Sequence, residues 1–394
     1  MAKKPTSPQK PDTRLVTGGR DPQSYFGFVN PPVVHASTVL YATAADQVAH
    51  RSRYTYGRRG TPTSEAMENA LKSIEGPQCA GVALVPSGAA AVTTALIAVL
   101  SAGDHLLVTD SVYRPTRVFC DSILKRMQVE TTYYDPLIGK DIAKLMKPNT
   151  KAVFVEAPGS QTFEMQDIPA IAEVAHDKKA VVLMDNTWAT PLFYDALSKG
   201  VDLSIQAGTK YIGGHSDIMF GTISANAATY PRLNDTRNTL GLCVGPDDIN
   251  LAMRGLRTMS VRLARHQESA LAVARWLEKR PEVLRVIHPA LPNDPGHAIW
   301  KRDFTGASGL FGLVLKPTAE KAVYAFMDEL ELFGMGFSWG GFESLVIAFD
   351  CTEYRTATKW NPGGPTLRFH IGLEDVGDLI ADLERGFAAM KAAA

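Results

Sequence analysis

The sequence predicts an α/β protein: a mainly parallel sheet covered by helices on both faces, followed by a smaller α+β domain. Two observations carry this. Between Val82 and Asn226 short apolar runs of strand length alternate with segments of helical spacing, the order produced when parallel strands are joined by crossover helices. After a long helical stretch the chain returns to strands mixed with only two further helical segments, which suits an α+β unit. At 394 residues the chain is long enough for two domains of ordinary size.

Taken in order, residues 1 to about 12 have the polar, Pro-rich composition of a disordered end. From Leu15 to about Thr63 the chain is rich in Gly, Pro and aromatics with little periodicity. An arm that builds no core of its own packs either on a partner subunit or on its own domain. Strands are expected at Val82 to Val85, His105 to Thr109, Glu130 to Tyr134, Ala152 to Glu156, Ala180 to Asp185, Val201 to Gln206 and Met219 to Asn226. Helical segments are expected at Gly88 to Leu100, Pro115 to Arg126, around Ile142 to Met146 and at Ile168 to Lys178. The stretch Met253 to Lys279 carries Leu256, Met259, Leu263, Ala270, Val273 and Leu277 at helical spacing and is long enough to bridge two domains. Beyond it, strands are expected at Val283 to His288, Leu310 to Leu315, Leu345 to Ala348 and Thr366 to His370, with helices at Ala319 to Glu329 and Val376 to Lys391.

Composition narrows the function classes. Lysine plus arginine balance aspartate plus glutamate at 41 each, so overall charge favours neither nucleic acid nor an anionic membrane. Cys79, Cys120, Cys243 and Cys351 lie too far apart for a zinc motif or a disulfide framework. No apolar run is long enough to span a bilayer, and the first fifteen residues lack an apolar signal core. A cytoplasmic protein of small-molecule chemistry, with reduced thiols and no metal, is the expectation.

The candidate chemistry gathers at strand ends. Lys210 follows the apolar run that ends near Gln206; it reads either as a surface lysine closing a strand or as an amine nucleophile whose pKa burial depresses. Asp185 ends another buried strand and reads either as a helix cap or as a cofactor ligand. In open α/β sheets ligands bind beyond the carboxyl ends of the strands. A lysine and an acid facing one crevice there are the pair that pyridoxal 5'-phosphate chemistry requires: an amine to form the imine and a carboxylate to keep the pyridine nitrogen protonated. Ser87-Gly88-Ala89 opens a helix after a strand, as a phosphate cup does and as an ordinary strand-to-helix turn also does. Neither a G-x-x-x-x-G-K-[ST] nor a G-x-G-x-x-G motif accompanies it, which counts against nucleotide hydrolysis and dehydrogenation. Tyr113 is a ring for stacking or a packed loop residue. Tyr54-Thr55-Tyr56-Gly57-Arg58-Arg59 places arginines beside tyrosines, suited to a phosphate or carboxylate or to a solvated turn. Ser338-Trp339-Gly340-Gly341 is a turn with groups to orient a carboxylate, and Arg368 is a lone strand arginine that needs either a substrate carboxylate or a structural ion pair. His215, His288 and His370 read as structural.

Three motifs in order, EAPGS from Glu156 followed by DNTW from Asp185, SIQAGTKYIGGHSD from Ser204 and SWGGFESL from Ser338, resemble those of the cysteine/methionine-metabolism family of fold-type I pyridoxal-phosphate-dependent enzymes. The resemblance runs from about Leu15 over nearly the whole chain. Within the family, Trp188 and Trp339 point to the cystathionine β-lyase branch rather than to the γ-synthases and γ-lyases. It implies an N-terminal arm, 1–63, reaching a neighbouring subunit; a cofactor-binding domain, 64–255; and a C-terminal α+β domain, 256–394. It implies that Lys210 bonds the cofactor and then carries protons, that Asp185 pairs with the ring nitrogen, and that Tyr113 stacks on the ring. Gly88 and Ala89 N–H groups and the Thr209 hydroxyl would hold the phosphate. Tyr56 and Arg58 would reach the neighbour's phosphate, implying at least a dimer, with a tetramer usual. Ser338, Trp339, Arg368 and Arg59 would bind substrate.

The activity implied is β-elimination of an amino-acid thioether such as L-cystathionine, to homocysteine, pyruvate and ammonia, in methionine biosynthesis. The other readings are γ-elimination or γ-replacement on the same fold, and a non-catalytic cofactor-bound regulator. Arg114-Pro115-Thr116-Arg117 is basic where related β-lyases tend to be acidic. Such charge disfavours the distal ammonium of cystathionine, so cysteine, cystine and other S-conjugates also come within range.

Overall fold

The computed structural model describes residues 9–394. Seven strands, β1 Gly81–Val85, β2 His105–Thr109, β3 Glu130–Tyr134, β4 Thr150–Glu156, β5 Val181–Asp185, β6 Leu203–Gln206 and β7 Gly221–Ala225, form one sheet in the order β1-β7-β6-β5-β4-β2-β3. β3, β2, β4, β5 and β6 are parallel neighbours, while β7 runs antiparallel between β6 and β1. The sheet is therefore mainly parallel, as the alternation predicts.

Both faces are covered. Ala152, Phe154 and Leu183 join the core beneath helix Gly88–Val99, whereas Val153, Val155, Val182 and Met184 join the core beneath helix Ile168–Asp177. This alternate burial to two sides is why these strands read as unbroken apolar runs. A second, antiparallel sheet follows, with β8 Val283–Ile287, β9 Leu310–Leu315, β10 Leu345–Ala348 and β11 Thr366–His370 in the order β10-β11-β9-β8. Helices Glu320–Asp328, Val376–Ala393 and Met259–Leu277 pack against it.

Two expectations are corrected. The long helical stretch is two helices, Pro246–Arg257 and Met259–Leu277, broken at Thr258. Gly255 there packs against the Ile212 and Gly213 carbonyls, where a Cβ would lie 2.1 Å from Gly213 O. The Gly255 carbonyl itself accepts from Arg262 Nη2 at 2.7 Å and from Thr258 N at 3.1 Å. Apolar spacing continues through the break, so periodicity could not reveal it.

The N-terminal expectation is corrected in part. Residues 1–8 lie outside the described residues, but helix Pro11–Thr17 begins inside the stretch expected to be a disordered end. Leu15 is buried against helix Pro62–Glu75, and the Arg257 guanidinium donates to Gly18 O at 2.8 Å. Helices Pro62–Glu75, Tyr230–Thr239 and His297–Asp303 also went unread. Between these anchors the arm leaves Phe26 95%, Phe28 69% and Leu40 87% exposed. Among the described residues no helix is long and apolar enough to cross a membrane.

Candidate active site at the strand ends

The parallel strands deliver their carboxyl ends to one edge, and the candidate residues collect there. β4 and β5 are in register with Glu156 beside Asp185. The Asp185 carboxylate accepts from Thr187 N at 3.0 Å and from the Thr187 hydroxyl at 2.5 Å. That hydroxyl also accepts from Ala207 N at 2.8 Å, so Thr187 ties the end of β5 to the turn that follows β6. Burial pushes the Asp185 carboxyl up, and the Thr187 bonds and the Lys210 charge pull it back toward the ionised form.

Lys210 rides on that turn, its N–H donating to Ala207 O at 2.9 Å and its carbonyl accepting from Gly214 N at 2.7 Å. Its amine donates to Ser338 Oγ at 2.5 Å and lies 5.4 Å from the Trp339 ring centroid. Burial first, then the Arg368 charge, lowers its pKa to about 8, and Asp185 opposes them. The neutral amine, the form that attacks an aldehyde, is therefore a minor fraction at pH 7 and reaches about half near pH 8, far below the range of a free lysine.

Arg368 comes from β11 in the second sheet and donates from Nη2 to Ser338 O at 2.9 Å. Its Nε is buried without a partner, and burial lowers its pKa to about 10. No acid pairs with it among the described residues. A buried guanidinium edge with a free donor is a receptor for a carboxylate. Tyr113, 46% exposed, is held by its backbone N–H donating to Glu156 Oε2 at 2.9 Å. Burial, then the Asp185 and Glu156 charges, raises its pKa, so the ring is a neutral phenol.

At the start of helix Gly88–Val99, Ser87 occupies the N–H groups of Ala90 and Ala91. The Gly88 and Ala89 N–H groups are left pointing out of the first turn, where the helix dipole favours an anion. Gly88 is required by crowding, since a Cβ would lie 2.5 Å from Ala207 Cβ. The Thr209 hydroxyl, one residue before Lys210, donates to Phe220 O at 3.2 Å and accepts from Phe220 N at 3.0 Å. These two bonds brace the Lys210 turn against the Phe220 backbone.

Tyr56, Arg58 and Arg59 do not join this cluster. They line a separate groove with Glu68 and Arg237, and Arg58 donates to Asn238 O at 2.7 Å. The basic stretch is also corrected: Arg117 is buried, pairs with Asp110 at 2.5 Å and stacks on Tyr133 at 3.5 Å. Only Arg114, over the Tyr354 ring at 5.4 Å, keeps an unpaired charge there. Trp188 is core, its indole donating to Leu310 O at 2.9 Å. Glu156 and Thr187 were missed as supporting residues. The strand-end position of Glu156 was a usable signal, whereas nothing local marked Thr187.

These residues fit pyridoxal 5'-phosphate: a neutral amine for its aldehyde, a buried carboxylate for its ring nitrogen and free N–H groups for its phosphate. Fold and site together define a cofactor-dependent enzyme of amino-acid chemistry. Residues 12–388 match the model of the family described as Cys/Met metabolism PLP-dependent enzyme. The chain is 45% identical to the cystathionine β-lyase of Escherichia coli, over 96% of this chain and 98% of that protein. It is 46% identical to the cystathionine β-lyase of Salmonella typhimurium, over 96% and 98%. Among solved structures, a cystathionine γ-synthase of Xanthomonas oryzae in complex with cystathionine matches with a TM-score of 0.90 at 31% identity, over 98% of this chain and all of that one. The chain belongs to the Cys/Met metabolism family of PLP-dependent enzymes, and its cofactor is pyridoxal 5'-phosphate.

The Lys210 environment sets a pH dependence. Since only the neutral amine reacts, capture of pyridoxal 5'-phosphate by the cofactor-free protein should accelerate as pH rises through about 8, well below the free-lysine value. Arg368→Gln removes a cation that favours the neutral form, so its profile should move to higher pH. Stopped-flow absorbance reads both; identical profiles would contradict the electrostatic coupling.

Proposed function

We propose that the protein is a carbon–sulfur β-lyase that cleaves L-cystathionine and related cysteine S-conjugates in methionine biosynthesis. The observation that carries this reading is a low-pKa lysine held between a carboxylate receptor, Arg368 with Ser338, and a ring-nitrogen partner, Asp185. The β-lyase names of the relatives at 45% and 46% identity support the branch.

When bound, the cofactor supplies an electron sink that makes the substrate Cα–H acidic. Arg368 receives the substrate α-carboxylate on its free Nε edge, and Ser338 contributes from the facing loop. The Lys210 amine accepts the Cα proton. Asp185, held by Thr187, would place a negative charge at the ring nitrogen. The Cβ–S electron pair leaves with sulfur, and Lys210 returns its proton to the thiolate as general acid. The three-carbon fragment then takes up water, giving pyruvate and ammonia. Gly88 and Ala89 would hold the phosphate through their N–H groups, and the Tyr113 ring would stack on the pyridine.

A shared-site oligomer completes the reading. Tyr56, Arg58 and Arg59 line a groove apart from their own Lys210, and the arm that carries them exposes Phe26, Phe28 and Leu40. Burying that apolar surface on a second subunit is favourable, and it would bring Tyr56 and Arg58 to the neighbour's phosphate. Residues 256–394 then form the C-terminal domain, which brings Arg368 to the cofactor domain, in a cytoplasmic enzyme.

Incubation of holoenzyme with L-cystathionine should release pyruvate and homocysteine, identified by chromatography; 2-oxobutyrate with cysteine would move the protein to the γ-lyases. Co-expressed Lys210→Ala and Arg58→Ala subunits should give about a quarter of wild-type activity, since half of the mixed dimers are hybrids with one intact site. Activity no greater than that of the separate variants would contradict site sharing.

A further inference from the structure

The segment Ser338–Gly341 carries more strain than a surface turn needs. Ser338 has φ +90° and Gly340 φ +88°, and left-handed backbone at a non-glycine residue persists only where the surroundings enforce it. A Cβ on Gly340 would lie 3.0 Å from Lys210 Cα, so the loop rests directly on the backbone of the reactive lysine.

Three side chains hold it there. Lys210 donates to Ser338 Oγ at 2.5 Å, Arg368 donates to Ser338 O at 2.9 Å, and His370 Nε2 lies 3.1 Å from both Gly340 N and Gly341 O. The first two are the groups that the proposed reaction redirects, one to the cofactor and one to the substrate carboxylate. The third faces no substrate. His370 is fully buried, packed against His266 and Tyr211 at ring separations of 5.2 and 6.1 Å, and its Nδ1 has no partner. It sits two residues after Arg368 in β11, and alternate strand residues share a face. One strand face thus presents both the carboxylate receptor and the loop anchor.

We propose that His370 is a positioning residue that keeps Ser338–Gly341 in register over Lys210 when Lys210 and Arg368 turn to cofactor and substrate. Its Nε2 accepts from Gly340 N–H in one tautomer and donates to Gly341 C=O in the other, so either tautomer retains a tie. The inference rests on the site reading above, but not on which bond is cleaved.

The test uses L-alanine, which offers an amine and a carboxylate but no leaving group. Holoenzymes of wild type, His370→Phe and His370→Gln are titrated, with bound-cofactor absorbance as the signal. Phe keeps the ring and loses the tie, whereas Gln places a polar group near the Nε2 position. The expected result is an L-alanine Kd raised at least about tenfold in His370→Phe and within about threefold of wild type in His370→Gln, with equal cofactor content. On L-cystathionine, KM should rise more than kcat falls in His370→Phe. Wild-type affinity in His370→Phe overturns the proposal, as does an equal loss in both variants. If His370→Phe does not fold, His370→Asn, too short to reach Gly340, takes its place with the same expectation. Absence of any alanine response in the wild type overturns the site reading and this inference together, whereas a wild-type enzyme that binds alanine but yields 2-oxobutyrate overturns only the β-lyase reading.

Discussion

The amine of Lys210 sits where water is scarce, beside the cation of Arg368, and most of the site can be understood as what keeps it usable there. Burying an ammonium is costly, and the protein answers by lowering its pKa to about 8. Asp185 opposes that shift but does not cancel it. An acid any closer would lock the amine as an ammonium; with none, nothing would balance the protonated pyridine nitrogen. The spacing between the two strand ends is the compromise, and Thr187, bonded to both Asp185 and the turn after β6, holds it.

The fold makes this spacing inexpensive to maintain. Parallel β4, β5 and β6 end at the same edge, so Glu156, Asp185 and the Lys210 turn are neighbours by register alone. The second sheet contributes from the opposite side, β11 bringing Arg368 and His370 to a loop already pressed against Lys210. Asp110, at the carboxyl end of β2, joins the two parts: its carboxylate accepts from Arg117 and Arg355 and from the backbone of Thr356, Ala357 and Thr358. These contacts hold its carboxyl at about 2 despite burial.

Much of this was legible in the chain. Strands buried on both faces leave unbroken apolar runs, which is why β1, β2, β4 and β5 were readable to within two residues, and Asp185 was marked by standing at the end of such a run. What escaped depends on long-range partners. The break at Thr258 is imposed by Arg262 and by close packing on Gly213, with apolar spacing unaltered. Arg117 shares the Asp110 carboxylate with Arg355, which lies 245 residues beyond Asp110 in sequence, and no pattern announced that the three side chains meet. The two bonds that tie the Thr209 hydroxyl to Phe220 span eleven residues of sequence and have no local mark. His370 has no local signature, because its partners are the backbone groups of a loop thirty residues earlier.

The most direct test of the central claim is to reduce the holoenzyme with borohydride, which makes the link between cofactor and protein permanent, and to map the modified peptide by mass spectrometry. The account predicts the cofactor mass on Lys210 and its absence in Lys210→Ala. A stable adduct on any other lysine, or none, would contradict it.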